Sequence, residues 1–146
     1  MKVERMEARH LQAVAELEQI CFEEPWSARS LELLIGEMAT GFVCTDENGQ
    51  VAAYGGMLWA PDEGQITNIA THPAYRRMGL GRAVLKALEG QARERGCKML
   101  SLEVRASNQA AIALYAAEGF TVEGRRKNFY RAPTEDALVM LLQWDV

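Results

Sequence analysis

A glycine-rich stretch at residues 76–81 divides this chain of 146 residues into two patterns of hydrophobic residues. Before this stretch, short apolar runs alternate with turns, and the Asn48-Gly49 pair in one of them is typical of a β-hairpin. After it, apolar residues at helical spacing alternate with runs that are typical of strands. The order of these patterns predicts an α/β fold with a mixed sheet, which begins as antiparallel hairpins and continues through strand–helix–strand units.

The boundaries of the predicted elements follow from hydrophobic spacing and from residues that cap helices. We expect one helix from Leu11 to Cys21, and a second that begins after Ser27 and ends at Gly41. Two more helices follow the glycine-rich stretch. The predicted strands lie at residues 3–6, 42–45, 51–59, 65–71, 98–104, 121–126 and 137–144.

The composition is that of a soluble globular protein, with 49% hydrophobic and 25% charged residues. The length is typical of one domain, so we expect residues 1–146 to fold as a single unit. No apolar run approaches the roughly 20 residues that a helix needs to span a bilayer, and no secretory signal is evident at the start. These features predict a cytoplasmic protein without a membrane partner.

The formal net charge of −4 disfavours a nucleic-acid partner, because proteins that bind nucleic acids usually carry a basic face. The three cysteines, Cys21, Cys44 and Cys97, are far apart, and no C-x-x-C pair is present. An odd count at such spacing is not typical of a disulfide framework or of a zinc site. The two histidines, His10 and His72, are also widely separated, so we expect no bound metal.

Residues 77–82 follow a predicted strand and open a predicted helix, which is a favourable place for an anion. The first N–H groups of a helix have no partner within the helix, and the helix dipole makes that end positive. Two glycines would let a phosphate approach the backbone closely, and Arg77 and Arg82 would add positive charge. The stretch lacks the Lys of a Walker loop, and Val84 stands where a dinucleotide-binding loop needs a third glycine. It predicts either a pyrophosphate site of another kind or only a glycine turn before a basic helix.

Glu103 lies in the apolar run at residues 98–104, which is predicted to be a central strand. Parallel strands are usually apolar on both faces, and Glu is seldom buried without a partner. Three explanations fit this carboxylate: it lies in solvent at the end of the strand, it pairs with an arginine such as Arg105, or it has a chemical function. A carboxylate in a partly buried cleft is suited to act as a general base.

Asn108 and Tyr115 are seven residues apart in the predicted helix at residues 108–118, so they lie on one face of it. Asn108 is also a good N-cap residue, and Gly119 is well placed to end the helix in a left-handed conformation. Tyr115 is either a core residue or a residue whose hydroxyl needs a polar partner. Together with Glu103 and the glycine-rich stretch, this pair indicates an active site.

The hexapeptide Arg76-Arg77-Met78-Gly79-Leu80-Gly81 resembles the [Q/R]-x-x-G-x-[G/A] pattern of the GNAT family of acetyl-CoA-dependent N-acetyltransferases. The segment Leu-Glu-Val-Arg-Ala-Ser-Asn at residues 102–108 is a more restrictive match, and the resemblance covers essentially the whole chain. It implies the GNAT fold, in which a mixed sheet of about seven strands is flanked by about four helices. In that fold the sheet is splayed between its fourth and fifth strands.

The resemblance also implies a class of acceptor. Residues 24–27, 68–70 and 135–137 are similar to those of family members that acetylate the N-terminal alanine of a small-subunit ribosomal protein. The expected reaction transfers the acetyl group of acetyl-CoA, a co-substrate, to a protein N-terminal α-amine, with the N-terminal peptide of a ribosomal protein as partner. Two alternatives are an acetyltransferase for a small-molecule amine and a binding module without activity. The module is disfavoured because binding alone does not need Glu103, Asn108 and Tyr115.

Each matched position receives a role from the resemblance. Glu103 would be the general base and Tyr115 the general acid. Pro25, Trp26 and Tyr130 would form walls of the acceptor groove, although this chain has a single tyrosine near the sixth strand where relatives often have two. The acetyl-CoA site would comprise Ile69, Ala70, Thr71, Arg77, Met78, Gly79, Leu80, Gly81, Arg82 and Asn108.

Overall fold

The computed structural model describes residues 1–144, which form one mixed sheet of seven strands in the order β1-β2-β3-β4-β5-β7-β6. No helix in this part of the chain is both long and apolar enough to cross a membrane. The predicted α/β architecture with seven strands and four helices is confirmed. The strands are β1 (Lys2–Arg5), β2 (Ala39–Thr45), β3 (Val51–Ala60), β4 (Glu63–Thr71), β5 (Met99–Arg105), β6 (Thr121–Tyr130) and β7 (Glu135–Gln143). The α-helices are α1 (Leu11–Cys21), α2 (Ala28–Leu31), α3 (Leu80–Glu94) and α4 (Gln109–Ala117).

The sheet changes from antiparallel to parallel pairing between β4 and β5, and this junction is short. Strands β1 to β4 form an antiparallel meander, and Gly49 takes a left-handed φ of 78° in the predicted Asn-Gly turn. Strands β4 and β5 pair only from Glu63 with Met99 to Gln65 with Ser101. Beyond these positions each strand continues without the other, so the two strands leave a cleft between them. The predicted splay is therefore confirmed.

Strand β7 lies between β5 and β6 and pairs antiparallel with both, a placement that the order of elements alone does not predict. A β6–β7 hairpin can dock on β5 through either of its strands. Strand β7 has the sequence EDALVMLLQ, whereas β6 has the charged sequence TVEGRRKNFY and is exposed at most positions. An apolar strand is more stable at the centre of a sheet, and charged residues are typical of an edge. Composition therefore accounts for the observed order.

Helix α3 packs closely on the sheet and begins at the glycine-rich stretch. Its buried residues include Val84 and Leu88, which lie against β3. A Cβ atom added at Gly55 of β3 would lie 2.6 Å from Val84 Cγ1 and 3.1 Å from Leu88 Cδ1. Only glycine fits this close approach of helix and strand, which allows α3 to pack directly on β3.

One predicted boundary is wrong. The helix expected to run from Ser27 to Gly41 consists of α2, a short 3₁₀ helix at Glu32–Ile35, and then a bend and a turn at residues 36–38 before β2 begins. Gly36 ends the helical segment with a ψ of −175°, and Gly41 lies inside β2, paired with Gly56. Gly36 comes before Gly41 in the chain, and it therefore ends the helical segment first. The Ser27 side chain does cap α2, accepting a hydrogen bond from the backbone of Ser30 at 3.1 Å.

Candidate active site

The cleft between β4 and β5 opens into a cavity of about 720 Å³ that brings together most of the residues predicted to bind acetyl-CoA. The end of β4 forms one wall, the glycine-rich loop and the start of α3 form the floor, and α4 forms the other wall. Met78 does not line this cavity, and 57% of its surface is exposed. The predicted residues that do line it are Ile69, Ala70, Thr71, Arg77, Gly79, Leu80, Gly81, Arg82 and Asn108.

The glycine-rich loop leaves the N-terminal end of α3 open. Gly79 is the N-cap residue and has a φ of 77°, and no side chain caps the helix. A Cβ atom at Gly79 would have no other atom within 4 Å, so space for a ligand remains beside the backbone. Uncapped N–H groups, the positive end of the helix dipole and the exposed Arg77 together fit a diphosphate.

Arg82, which lines the same cavity, forms an ion pair with Glu118. Its Nε lies 2.8 Å from an oxygen of Glu118, and Lys86 Nζ lies 3.0 Å from the other oxygen of the same carboxylate. The Glu118 side chain is only 5% exposed and follows the last residue of α4. These ion pairs join α3 to the end of α4 and so hold together two sides of the cavity.

Asn108 and Gly119 bound α4 as predicted. The Asn108 side chain accepts a hydrogen bond from the backbone of Ala111 at 3.2 Å, which makes it the N-cap residue. Gly119 has a φ of 101°, in the left-handed region that ends a helix. Asn108 therefore both caps α4 and lines the cavity.

A second cavity of about 380 Å³ adjoins the first and is lined by Glu103, Tyr115 and Tyr130. The Glu103 side chain is 32% exposed, and its carboxylate lies 3.1 Å from Nε of Arg126 on β6. This contact corrects the suggested pairing of Glu103 with Arg105. Glu103 thus lies in the cleft, is held by one cation and remains accessible to a ligand.

Tyr115 belongs to the core and to the site at the same time. It is 7% exposed, its ring packs 5.7 Å from that of Phe120, and it lines both cavities. Burial raises the pKa of the Tyr115 hydroxyl well above its usual value, and nearby Tyr130 raises it further. The hydroxyl therefore keeps its proton at neutral pH.

Arg105 is engaged by the loop between β6 and β7. Its guanidinium donates hydrogen bonds of 2.9 Å to the carbonyl oxygens of Arg131 and Pro133, and it lies 4.5 Å from the centre of the Tyr130 ring. Burial, followed by the charge of Glu103, raises the pKa of Tyr130 to about 12. The Arg105 guanidinium thus packs on the ring of Tyr130, the last residue of β6, and the Tyr130 hydroxyl beside the cleft is protonated at neutral pH.

Glu135 connects this loop to the end of β5, and its contribution to stability is expected to depend on pH. Its carboxylate accepts a 2.6 Å hydrogen bond from the Ser107 backbone and pairs with Arg105. Hydrogen bonding with the Ser107 side chain is the main reason why the pKa of Glu135 is lowered, and the backbone bond from Ser107 lowers it further. A carboxyl group whose pKa is lower in the folded than in the unfolded state stabilises the fold at pH values above the unfolded pKa of about 4.3. This stabilisation is lost as the pH falls through the lowered pKa of the folded state.

We therefore expect Glu135→Gln to lower the melting temperature at pH 7, and the difference from the wild type to shrink as the pH falls below about 4.3. Thermal melting followed by circular dichroism at several pH values measures this difference. Glu37→Gln at an exposed position is the control and should leave the melting temperature unchanged at each pH. A difference that grows toward low pH would contradict the assigned hydrogen bond.

A third cavity of about 450 Å³ lies where the segment before α2 faces the end of β6, on the side of the cleft where the acceptor is predicted to bind. Trp26 and Tyr130 line it, whereas Pro25 is exposed and does not. Trp26 also packs against the core cluster beneath α1, so it is both a groove wall and a core residue. The carboxylate of Glu24 accepts a 3.0 Å hydrogen bond from the backbone of Arg131, which joins the two walls.

The sequence analysis missed a buried polar group behind this groove. Glu18 is 0% exposed, and its carboxylate is hydrogen-bonded by Tyr54 and Asn68 and by the backbone of Trp26. A signal for it was present, because Glu18 falls four residues after Val14 on the apolar face of α1. A carboxylate at that spacing indicates either a misplaced helix face or a buried, hydrogen-bonded group.

Comparisons with known proteins agree with this geometry. A model of the Acetyltransferase (GNAT) family matches residues 11–120. The chain is 41% identical to the [ribosomal protein bS18]-alanine N-acetyltransferase of Escherichia coli K12, over 96% of this chain and 95% of the relative. It is 33% identical to the N-alpha-acetyltransferase RimI of Mycobacterium tuberculosis H37Rv, over 88% of this chain and 84% of that relative. The crystal structure of the Escherichia coli ribosomal-protein-S18-alanine N-acetyltransferase superposes with a TM-score of 0.91 at 39% identity, covering 99% of this chain and 94% of the other.

Proposed function

This chain belongs to the GNAT family of acetyltransferases, and we propose that it acetylates the N-terminal α-amine of a protein. The proposed acceptor is the N-terminal alanine of a small-subunit ribosomal protein, and the proposed donor is acetyl-CoA. The acceptor follows from the relative that is 41% identical over almost the whole chain. The match covers almost the whole chain, so both halves of the reaction are inferred from it.

The observation that carries the proposal is the meeting of two cavities at Asn108 and Tyr115, the second of which is also lined by Glu103. One cavity holds the open end of α3 and fits a diphosphate. The other holds the two side chains proposed as base and acid, and Asn108 and Tyr115 line both. A donor that enters along α3 and an acceptor that enters past Trp26 and Tyr130 would therefore meet beside Glu103.

The residues present fit acetyl-CoA as the donor. Its diphosphate would lie against the N–H groups of residues 77–82, where no side chain competes for them. Its extended arm would run along the unpaired part of β4 at residues 69–71, which lacks a strand partner on the β5 side. When bound, acetyl-CoA supplies a thioester carbonyl that an amine can attack.

Glu103 is proposed to accept a proton from the acceptor. An α-amine has a pKa of about 7.7–8.0, so much of it is protonated at pH 7 and cannot act as a nucleophile. Glu103 would take this proton directly or through one water molecule. The nitrogen would then form a bond to the carbonyl carbon and give up its second proton to water, while the bond from that carbon to sulfur breaks.

Negative charge develops on the carbonyl oxygen and on the departing sulfur, and we propose that the backbone stabilises the first and Tyr115 the second. An N–H group on the unpaired edge of β4, at Ile69 or Ala70, is proposed to stabilise the developing oxyanion, and one such donor is typically worth about 3 kcal/mol. Tyr115 would donate its proton to the departing sulfur. Burial raises the pKa of Tyr115, so its hydroxyl is protonated at neutral pH.

The proposal predicts turnover that depends on a free N-terminus. Thiol release from acetyl-CoA is measured with three peptides: one with the N-terminal sequence of ribosomal protein bS18, the same peptide with a blocked N-terminus, and a blocked peptide that contains lysine. We expect release with the first peptide alone. Equal release with the lysine peptide would contradict specificity for the α-amine, and release only with small-molecule amines would replace the proposed acceptor.

A further inference from the structure

Glu18 is a completely buried carboxylate near the end of α1, and none of the ion pairs in residues 1–144 includes it. Burying a charged group is unfavourable unless hydrogen bonds replace its hydration. A carboxylate at this position therefore depends on the groups that donate to it.

Three donors from three different segments surround Glu18. Its Oε1 accepts a 2.8 Å hydrogen bond from the backbone N–H of Trp26, and its Oε2 accepts a 2.9 Å bond from the Asn68 amide and a further bond from the Tyr54 hydroxyl. Burial raises the pKa of Tyr54, so this hydroxyl stays a donor. All three groups donate hydrogen bonds to Glu18. A carboxylate can accept them on its two oxygens, whereas Gln, which has the same size, has one acceptor oxygen and an NH₂ group that donates.

Two of these donors belong to opposite sides of the acceptor groove. The Trp26 side chain lines the groove from the segment before α2, and Asn68 lines it from β4. Asn68 lies in a bulge, because Thr67 and Asn68 together oppose the single residue Gly56 of β3. The bulge at residues 67–68 and the irregular segment around Trp26 have few backbone hydrogen bonds that fix their positions. The Glu18 carboxylate accepts a hydrogen bond from each of them.

We propose that Glu18 is a positioning residue for the acceptor groove. It lines none of the three cavities in the cleft, so it does not touch a ligand and acts through Trp26 and Asn68. None of its donors belongs to the glycine-rich loop, so the proposed diphosphate site does not depend on it. The identity of the ligand in the groove rests on the proposed function, but the role of Glu18 in fixing the two walls does not.

Fluorine NMR tests the positioning role without any acceptor. The chain has three tryptophans, so labelling with 5-fluorotryptophan gives three resonances, and Trp26→Phe assigns the one of interest. In Glu18→Gln an NH₂ group replaces one acceptor oxygen, and at least one donor loses its partner. We expect the Trp26 resonance alone to shift or broaden, while those of Trp59 and Trp144 stay as in the wild type. Glu16→Gln, at an exposed position of the same helix, should change none of the three.

Steady-state kinetics give the second readout. For Glu18→Gln we expect the KM of the acceptor peptide to rise about tenfold, because a buried group in the network is left without a partner. The KM of acetyl-CoA and kcat should change by less than about twofold, since the donor cavity and Glu103 are not in the network. A general loss of structure would instead change both KM values and all three fluorine resonances, and that result would overturn the proposal.

Asn68→Ala keeps the test decisive if Glu18→Gln does not fold. This variant removes one donor from a half-buried position and leaves the carboxylate in place. We expect a smaller change of the Trp26 resonance, because Glu18 then loses the contact that ties it to β4. A Trp26 resonance identical to that of the wild type would overturn the proposal. If the wild type turns over no peptide, that result counts against the proposed function and leaves the fluorine result standing.

Discussion

Replacing Glu103 with Gln is expected to lower kcat/KM for the acceptor peptide by a factor of about 100 to 10,000. Gln has the shape of Glu but cannot accept a proton from the α-amine. Glu103 lines the cavity that Tyr115 also lines, and it is exposed enough to reach a ligand. The loss should be mainly in kcat, and acetyl-CoA binding measured by calorimetry should be unchanged, because residues 77–82 are unaffected.

The pH dependence provides the control for this result. As the pH rises above about 8, the α-amine loses its proton without help, so the difference between Glu103→Gln and the wild type should narrow. Glu123→Gln, on the exposed strand β6, removes the same charge outside the cleft and should keep wild-type kcat/KM. If Glu103→Gln retains activity within about threefold of the wild type, Glu103 is not the base.

Introducing Asp at Gly79 is expected to weaken acetyl-CoA binding by a factor of about 100 or more. The new carboxylate would lie at the open end of α3, beside the place proposed for the diphosphate, and like charges at such distances are strongly unfavourable. The fold should tolerate the change. Asp and Asn adopt the left-handed φ of 77° more readily than other non-glycine residues, and a Cβ atom here has no neighbour within 4 Å.

Gly79→Asn separates charge from shape in this test. Asn has the size of Asp and the same tolerance of the left-handed region, so it should melt like Gly79→Asp but bind acetyl-CoA within about tenfold of the wild type. Calorimetric titration with acetyl-CoA measures both constants. Equal binding by the Asp and Asn variants would mean that no phosphate lies near residue 79 and would contradict the proposed donor site.

Much of the fold follows from local signals that the structure bears out. The Asn-Gly turn, the Ser27 and Asn108 caps and the left-handed Gly119 all have the predicted conformations. Each of these signals is contained in a few neighbouring residues, and their preferences are steric. The predicted end of the second helix is wrong because two glycines could end it. Gly36, which comes before Gly41 in the chain, is the one that does so.

The partners of charged side chains in the site were harder to predict, because they depend on strand order. Arg105 follows Glu103 by two residues and so lies on the same face of β5, which made it the natural partner. The actual partner, Arg126, lies on β6 and reaches Glu103 across the intervening strand β7. The Glu18 network likewise joins residues up to 50 positions apart, which no local pattern reports.

The most direct test of the central claim is to locate the acetyl group on one peptide that offers both kinds of amine. A peptide that begins with the N-terminal alanine of ribosomal protein bS18 and contains an internal lysine is incubated with the protein and acetyl-CoA, and the product is fragmented by tandem mass spectrometry. The account predicts a single acetyl group on the N-terminal α-amine. Acetylation of the lysine instead, or a peptide left unmodified while acetyl-CoA still binds, would contradict it.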